Sequence, residues 1–312
     1  MAVVNAAHLH LFLNHVPTVG LVLGVGLFLL ALVRRQQVLE RASYEVLFAI
    51  AVLTLPAYVT GLGAQAVLLD RADVSAAAID AHQDAALLAF AGMQVTGGAA
   101  WLALWRLRRN LEAGPGVAGT VLLLAIVTLV LMTGAAAVGG EIRHPETRAD
   151  DAVIASRGPM PVSSIGAFVT GQAWVWPAAE TLHFIGLSLL FGVMAVINLR
   201  VLGMMKMVSF QALHRLLPWA VVGFAINLST GTLFLASAPE QYAESVPFFW
   251  KTGLLAAGGG SLLYLTVADR PWAVDAGESA PAIDRAIATG ALGLWVAVMY
   301  LGRMLPFLGT SF

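Results

Sequence analysis

The sequence predicts an all-α polytopic membrane protein with about eight transmembrane helices arranged as two four-helix modules. Three observations predict it. Of the 312 residues, 59% are hydrophobic and only 11% are charged, with a mean hydropathy of +0.82; soluble domains carry about 25% charged residues. Eight apolar stretches each reach the roughly 20 residues that a bilayer-spanning helix needs. Most Lys and Arg residues fall between those stretches.

The first stretch, 11–33, is led by His8, His10, His15 and Pro17. No Lys or Arg precedes it, which argues against a cleaved signal peptide and for a helix that serves as its own insertion signal. The second, 45–67, follows Arg34, Arg35 and Arg41. The third, 83–105, opens after Asp80 and Gln83, which read as a capping box and place His82 in the first turn. The fourth, 117–139, follows Arg106, Arg108, Arg109 and a Gly114-Pro115-Gly116 turn, and ends at Gly139-Gly140. The fifth, 180–202, opens on Glu180 and His183, three residues apart and so on one face. The sixth, 217–237, follows Lys206 and Arg215. The seventh, 248–268, opens on Lys251, and the eighth, 285–306, follows Arg270 and Arg285. The expected organisation is a module at 1–146, a connection at 147–179 whose Trp174 and Trp176 suit the headgroup belt, and a module at 180–312. No sequence repeat between the modules is evident.

Placing the loops after stretches one, three, five and seven in the cytoplasm puts 11 of the 17 basic residues there, the expected bias for cytoplasmic loops. Both termini then face outward, across a bacterial inner membrane. The outer side is acidic, holding 11 of 18 carboxylates. Six of the seven histidines fall on it: His8, His10, His15, His82, His144 and His183. Only His214 falls inside.

That convergence points to a metal or haem site. Any one of these histidines alone is more often an interface or capping residue than a ligand, but neutral imidazole is also the commonest protein metal ligand. The chain has no cysteine, so iron–sulfur clusters and thiolate metal sites are excluded. A redox centre would be haem b held by histidine, or copper held by histidine with Met or carboxylate. For haem, the candidate residues are His15, His82, His144 and His183 as ligands, with Arg143, Arg303 or Lys251 to hold propionates. For copper or another metal, they are His8, His10, His15, His82, His144, His183, Glu141 and Glu180. Lys251 has an alternative as a side chain snorkelling to the outer surface. Gln94, Thr96, Asn198, Asn227 and Thr230 read as interhelical hydrogen-bonding groups, and the small-residue runs at Gly97-Gly98 and Gly258-Gly260 as places of close helix approach. No line of Asp, Glu or Lys crosses the middle of the membrane, which weakens a proton pump or a charge-coupled transporter. The net charge of −1 gives no case for nucleic acid.

Two resemblances rest on these residues. The first half, through His8, His10, Asn14, His15, Pro17, Ala81, His82, Asp84, Gly139-Gly140, Glu141, Arg143 and His144, resembles a group of bacterial four-helix membrane proteins without an assigned activity. The second half carries Glu180, His183 and Gly186, then Asn198, Arg200 and Gly203, then Pro218, Trp219, Thr230-Gly231, Trp250 and Lys251. It resembles the four-helix membrane family of CopD, the copper-resistance protein, and HemJ, the haem-binding protoporphyrinogen oxidase. In that family a histidine early in the first helix and a lysine opening the third recur, matching His183 and Lys251. The likeness implies haem b or copper near His183. A further histidine often found late in the third or fourth helix is missing here, where the chain reads Leu262 to Thr266.

The expectation that follows is a membrane-bound b-type cytochrome, or the haem-bearing membrane subunit of an electron-transfer complex. It would exchange electrons near the outer face with a periplasmic electron-transfer protein, a larger membrane complex or quinone. The alternatives are copper binding or transfer, and a non-catalytic subunit of a respiratory or photosynthetic complex.

Overall fold

The computed structural model describes residues 6–69, 71, 74–109, 111, 115–144, 162–268 and 270–308. All the regular structure among them is helical. Among the described residues seven helical segments are long and apolar enough to cross a membrane: Ala6–Arg34, Gln37–Leu69, Ala76–Arg108, Pro115–Ile142, Val175–Val201, Phe210–Ser237 and Ala282–Leu305. The chain is thus an all-α polytopic membrane protein. The predicted 248–268 span is also a helix, Val246–Val267. Lys251 and four glycines dilute its apolar content, which sets it apart from the other seven.

The chain divides into two compact units, Met1–Ile165 with Pro239–Ser245, and Gly166–Ala238 with Val246–Phe312. The boundary differs from the predicted one. Residues 147–161 of the predicted 147–179 connection lie outside the described residues, but the rest of it folds. Val162–Gly171 is a ten-residue helix whose first turn is tied down when the Val162 N–H donates to the buried Asp84 carboxylate. It is too short to cross a bilayer, and so escapes a search for spans.

In the first unit, α1 (Ala6–Leu13) and α2 (His15–Arg34) form one bent segment. The others are α3 (Gln37–Leu69), α4 (Ala76–Arg108) and α5 (Pro115–Arg143). Successive long helices pack on one another, α2 closes the ring against α5, and α1 lies on α3. The helices start earlier and end later than predicted. The three N-terminal histidines therefore sit within helices rather than ahead of them. The cap of α4 is Ser75, whose hydroxyl accepts from Ala78 N at 3.2 Å, not the predicted Asp80–Gln83 box. Gly139-Gly140 lies within α5 and does not end it.

The core is built from Leu21, Phe28, Tyr44, Leu47, Met93 and Trp101, all essentially inaccessible. Phe28 meets Tyr44 edge-on at 5.2 Å. Gln94 Nε2 donates to Ala51 O across α4 and α3 at 2.9 Å, and Thr96 and Thr128 hydroxyls pair across α4 and α5 at 2.8 Å. These are the interhelical bonds expected of neutral polar groups in a membrane. The outward faces are apolar, as at Leu23, Leu123 and Val130, and suit a lipid bilayer.

In the second unit, α6 (Val162–Gly171), part of which belongs to the first, leads into α7 (Val175–Val201). Then come the short α8 (Phe210–His214), α9 (Leu217–Ser237), α11 (Val246–Val267) and α12 (Ala282–Leu308). The five-residue α10 (Pro239–Ala243) lies between α9 and α11 in sequence but packs on α3 and belongs to the first unit. Burial there pushes the Tyr242 phenol up to about 12. Helix α7 packs on α9 and α12, and α11 packs on α12. No comparable packing joins α9 to α11 among the described residues, so this bundle is open on one side. The α7–α9 crossing is held at Gly186 and Gly223: a β-carbon on Gly223 would come within 2.6 Å of Gly186 O.

Candidate functional site

In an antiparallel bundle, the N-terminal ends of the first and third helices and the C-terminal ends of the second and fourth share one end. In the first unit that end gathers His10 of α1, Gly61 of α3, His82 of α4 and Gly139 of α5. His10 Nδ1 lies 3.0 Å from Ala57 O of α3 and 3.4 Å from the Thr60 hydroxyl. His82 Nδ1 lies 3.0 Å from Ala135 O of α5. A carbonyl oxygen only accepts, so in both rings Nδ1 carries the proton and Nε2 presents a lone pair. Among the described residues neither Nε2 has a hydrogen-bond donor. The two imidazoles are within electrostatic range of each other.

Each acceptor carbonyl lies four residues before a glycine. A ring reaching the carbonyl of residue i in a helix must pass over the side chain of residue i+4, which shares its face. At Gly61 a β-carbon would come within 3.0 Å of His10 Cε1, and at Gly139 within 2.8 Å of His82 Cε1. The glycines are what let the rings in.

In the second unit the same end gathers His183 of α7, Thr230 and Gly231 of α9, Lys251 of α11 and Gly302 of α12. His183 Nδ1 is 2.8 Å from Thr230 Oγ1. That hydroxyl donates its own hydrogen to Ile226 O at 2.8 Å, so it accepts from Nδ1–H, and Nε2 again presents a lone pair. The ring also contacts Phe234 at 5.6 Å between centroids, and Phe234 contacts Trp176 at 4.8 Å. Asn227 Nδ2 donates to His183 O at 3.2 Å and fixes the backbone behind the ring. Lys251 does not snorkel to a surface. Its Nζ lies over Gly302, 3.2 Å from where a β-carbon would stand, and is within electrostatic range of His183. Among the described residues it has no hydrogen-bond or ion-pair partner.

The remaining predicted site residues are not drawn into these two places. His8 and His15 are exposed, and His15 Nδ1 donates back to Leu11 O of its own helical segment at 3.2 Å. His144 is exposed at the end of α5, and Glu141 is half-buried there. The Arg143 side chain lies outside what is described. Glu180 is exposed, so its expected pairing with His183 on one face brings no carboxylate to that ring. Among the described residues no three His, Asp or Glu side chains come together as a metal-ligating group. Sequence reasoning missed the contribution of Gly61 and Gly302, and of Thr60 as a partner for His10. The signal that could have found them is a glycine at bundle-end depth on the helix facing each histidine.

Chemically, a neutral imidazole whose Nδ1–H is fixed by an acceptor and whose Nε2 is open is the arrangement of a metal-ligating histidine with its outer partner in place. An unpartnered ammonium in the same bundle suits a carboxylate. Haem b asks for both, since its iron takes an axial imidazole and its edge carries propionates, so the residues present fit that group. No family model, curated protein or solved structure matches this chain.

Proposed function

We propose that the protein is a membrane-bound b-type cytochrome, or the haem-bearing membrane subunit of an electron-transfer complex. The observation that carries this reading is His183: Nδ1–H fixed on Thr230 Oγ1 at 2.8 Å, Nε2 open, and the free ammonium of Lys251 in the same bundle. His183 would ligate the iron and Lys251 would hold a propionate. Among the described residues α9 and α11 do not pack closely on one another, which leaves that side of the bundle open. Bound haem supplies a one-electron iron couple.

Among the described residues no group of three His, Asp or Glu side chains comes together. A porphyrin brings four nitrogens and asks the protein for one or two. In this reading the site lies near the outer face of a bacterial inner membrane, by the distribution of Lys and Arg. Its exchange partners are a periplasmic electron-transfer protein, a larger membrane complex or quinone.

The test is the absorption spectrum of the detergent-purified protein, oxidised and dithionite-reduced, with metal analysis of the same sample. A Soret band with iron that is lost in His183→Ala supports the reading. Stoichiometric copper without a Soret band overturns it in favour of copper handling. Neither metal nor Soret band, after growth with added haem precursor, leaves the scaffold role.

A further inference from the structure

The two units repeat one another in a way their sequences hide. In each, a first-helix histidine leans on a second-helix Thr-Gly pair: His10 on Thr60-Gly61 and His183 on Thr230-Gly231, 50 and 47 residues from histidine to threonine. In each, a third-helix basic residue lies over a fourth-helix glycine: His82 over Gly139, and Lys251 over Gly302. From Thr60 to His82 is 22 residues, and from Thr230 to Lys251 is 21. The depth also agrees. His10, His82, His183 and Lys251 lie four to eight residues beyond the first residue of their helices, roughly 6–12 Å at 1.5 Å per residue.

From this correspondence we infer that the first unit holds a second haem site of different ligation, with His10 and His82 as its two axial imidazoles. The inference rests on the haem reading of the second unit and adds a site that reading does not need. Where the second unit places one imidazole and one ammonium, the first places two imidazoles, each with its proton on Nδ1 and its lone pair on Nε2. A merely structural pair would not explain that arrangement. The carbonyls of Ala57 and Ala135 lie in helix interiors, where the backbone N–H four residues on already serves them, so they do not need the rings. Each ring is instead admitted at the expense of a helical glycine. Two imidazoles on one iron give a six-coordinate, low-spin centre suited to electron transfer. A single histidine leaves a coordination position open.

The experiment uses the full chain, purified in detergent after expression with added haem precursor and topped up with haemin. Haem per chain is counted as the pyridine haemochrome, and the spin state is read by low-temperature EPR. Two haems per chain are expected. His10→Ala and His82→Ala should each remove one haem and the low-spin bis-imidazole signal. His183→Ala should remove the other haem and leave that signal in place. If the alanine variants aggregate, His82→Met keeps bulk and an axial donor. It should retain the haem with a changed low-spin signal and a raised midpoint potential. One haem per chain, lost in His183→Ala and untouched by His10→Ala, His82→Ala or His82→Met, overturns this inference and leaves the proposed function standing. No haem in the wild type overturns both.

Discussion

His82 lies directly against Gly139, so close that a β-carbon on residue 139 would come within 2.8 Å of the ring's Cε1. The next residue, Gly140, faces open space. The pair therefore separates two effects of the same substitution. Gly140→Ala should stabilise α5 by roughly 0.5–1 kcal/mol, because alanine loses less backbone freedom in a helix. Gly139→Ala should destabilise by about 1–3 kcal/mol, because the ring must move against packed neighbours. Thermal unfolding in detergent reads both, and a stabilised Gly139→Ala would contradict the placement of His82.

A second pair reports on the opposite half of the first bundle. A β-carbon on Gly97 would run into the β-carbon of Ala51 on α3, whereas Gly98 has nothing near it. The obstruction is a methyl group fixed to the backbone, so only a shift of whole helices relieves it. Gly97→Ala should cost about 3 kcal/mol or more, and Gly98→Ala should be neutral or mildly stabilising. Chemical unfolding of the purified variants would show it. Similar midpoints for the two variants would mean that α3 and α4 do not meet at Ala51.

These glycines also show what was legible in the sequence. The spans were legible because twenty apolar residues have few other fates, and 217–237 matches α9 to the residue. Gln94 and Thr96 were correctly read as interhelical hydrogen-bonding groups. Which histidines act together was not legible. His10, His15 and His82 look alike in a one-dimensional reading, and only the helix opposite each ring distinguishes them: Ala57 and Gly61 receive His10, while His15 turns back on its own segment. Helix ends misled in the same way. Gly139-Gly140 has the form of a stop signal, yet α5 runs on to Arg143 because its glycine is wanted for ring contact. The repeat between units escaped notice because lysine in one stands where histidine stands in the other.

Arg200 is one of the basic residues that the loop assignment places towards the cytoplasm, and it is fully buried in the last turn of α7. Its guanidinium donates to Val208 O at 2.7 Å, Asp275 O at 3.1 Å and Glu278 O at 3.3 Å, and lies 4.3 Å over the Phe210 ring. One side chain thus ties two separate loops to the end of a helix. A lysine cannot reach three divergent carbonyls from one nitrogen. With hydrogen bonds to charged groups worth about 1.5–3 kcal/mol each, Arg200→Lys should lose at least that much. It should also open the 203–209 and 274–281 segments to limited proteolysis. Unchanged cleavage and stability would show that the clamp carries no load.

Among the described residues the Thr230 hydroxyl is the only hydrogen-bond partner of the His183 ring, and Thr230→Val removes it while nearly conserving shape. If His183 ligates haem, the ligand survives this change but loses the acceptor that sets its tautomer and angle. Loss of such an outer partner weakens metal binding by roughly 10- to 100-fold. Haemin titration of the purified protein should show that weakening in Thr230→Val and abolition of the same binding phase in His183→Ala. His214→Ala is the control. That buried histidine precedes α9 at the other end of the bundle, with its ring 4.7 Å from Trp272, and its removal should leave haemin binding unchanged. Thr230→Val binding as tightly as the wild type would dismiss the hydroxyl as a positioning group. Equal loss in His183→Ala and His214→Ala would mean that the loss comes from destabilised folding and not from a missing ligand.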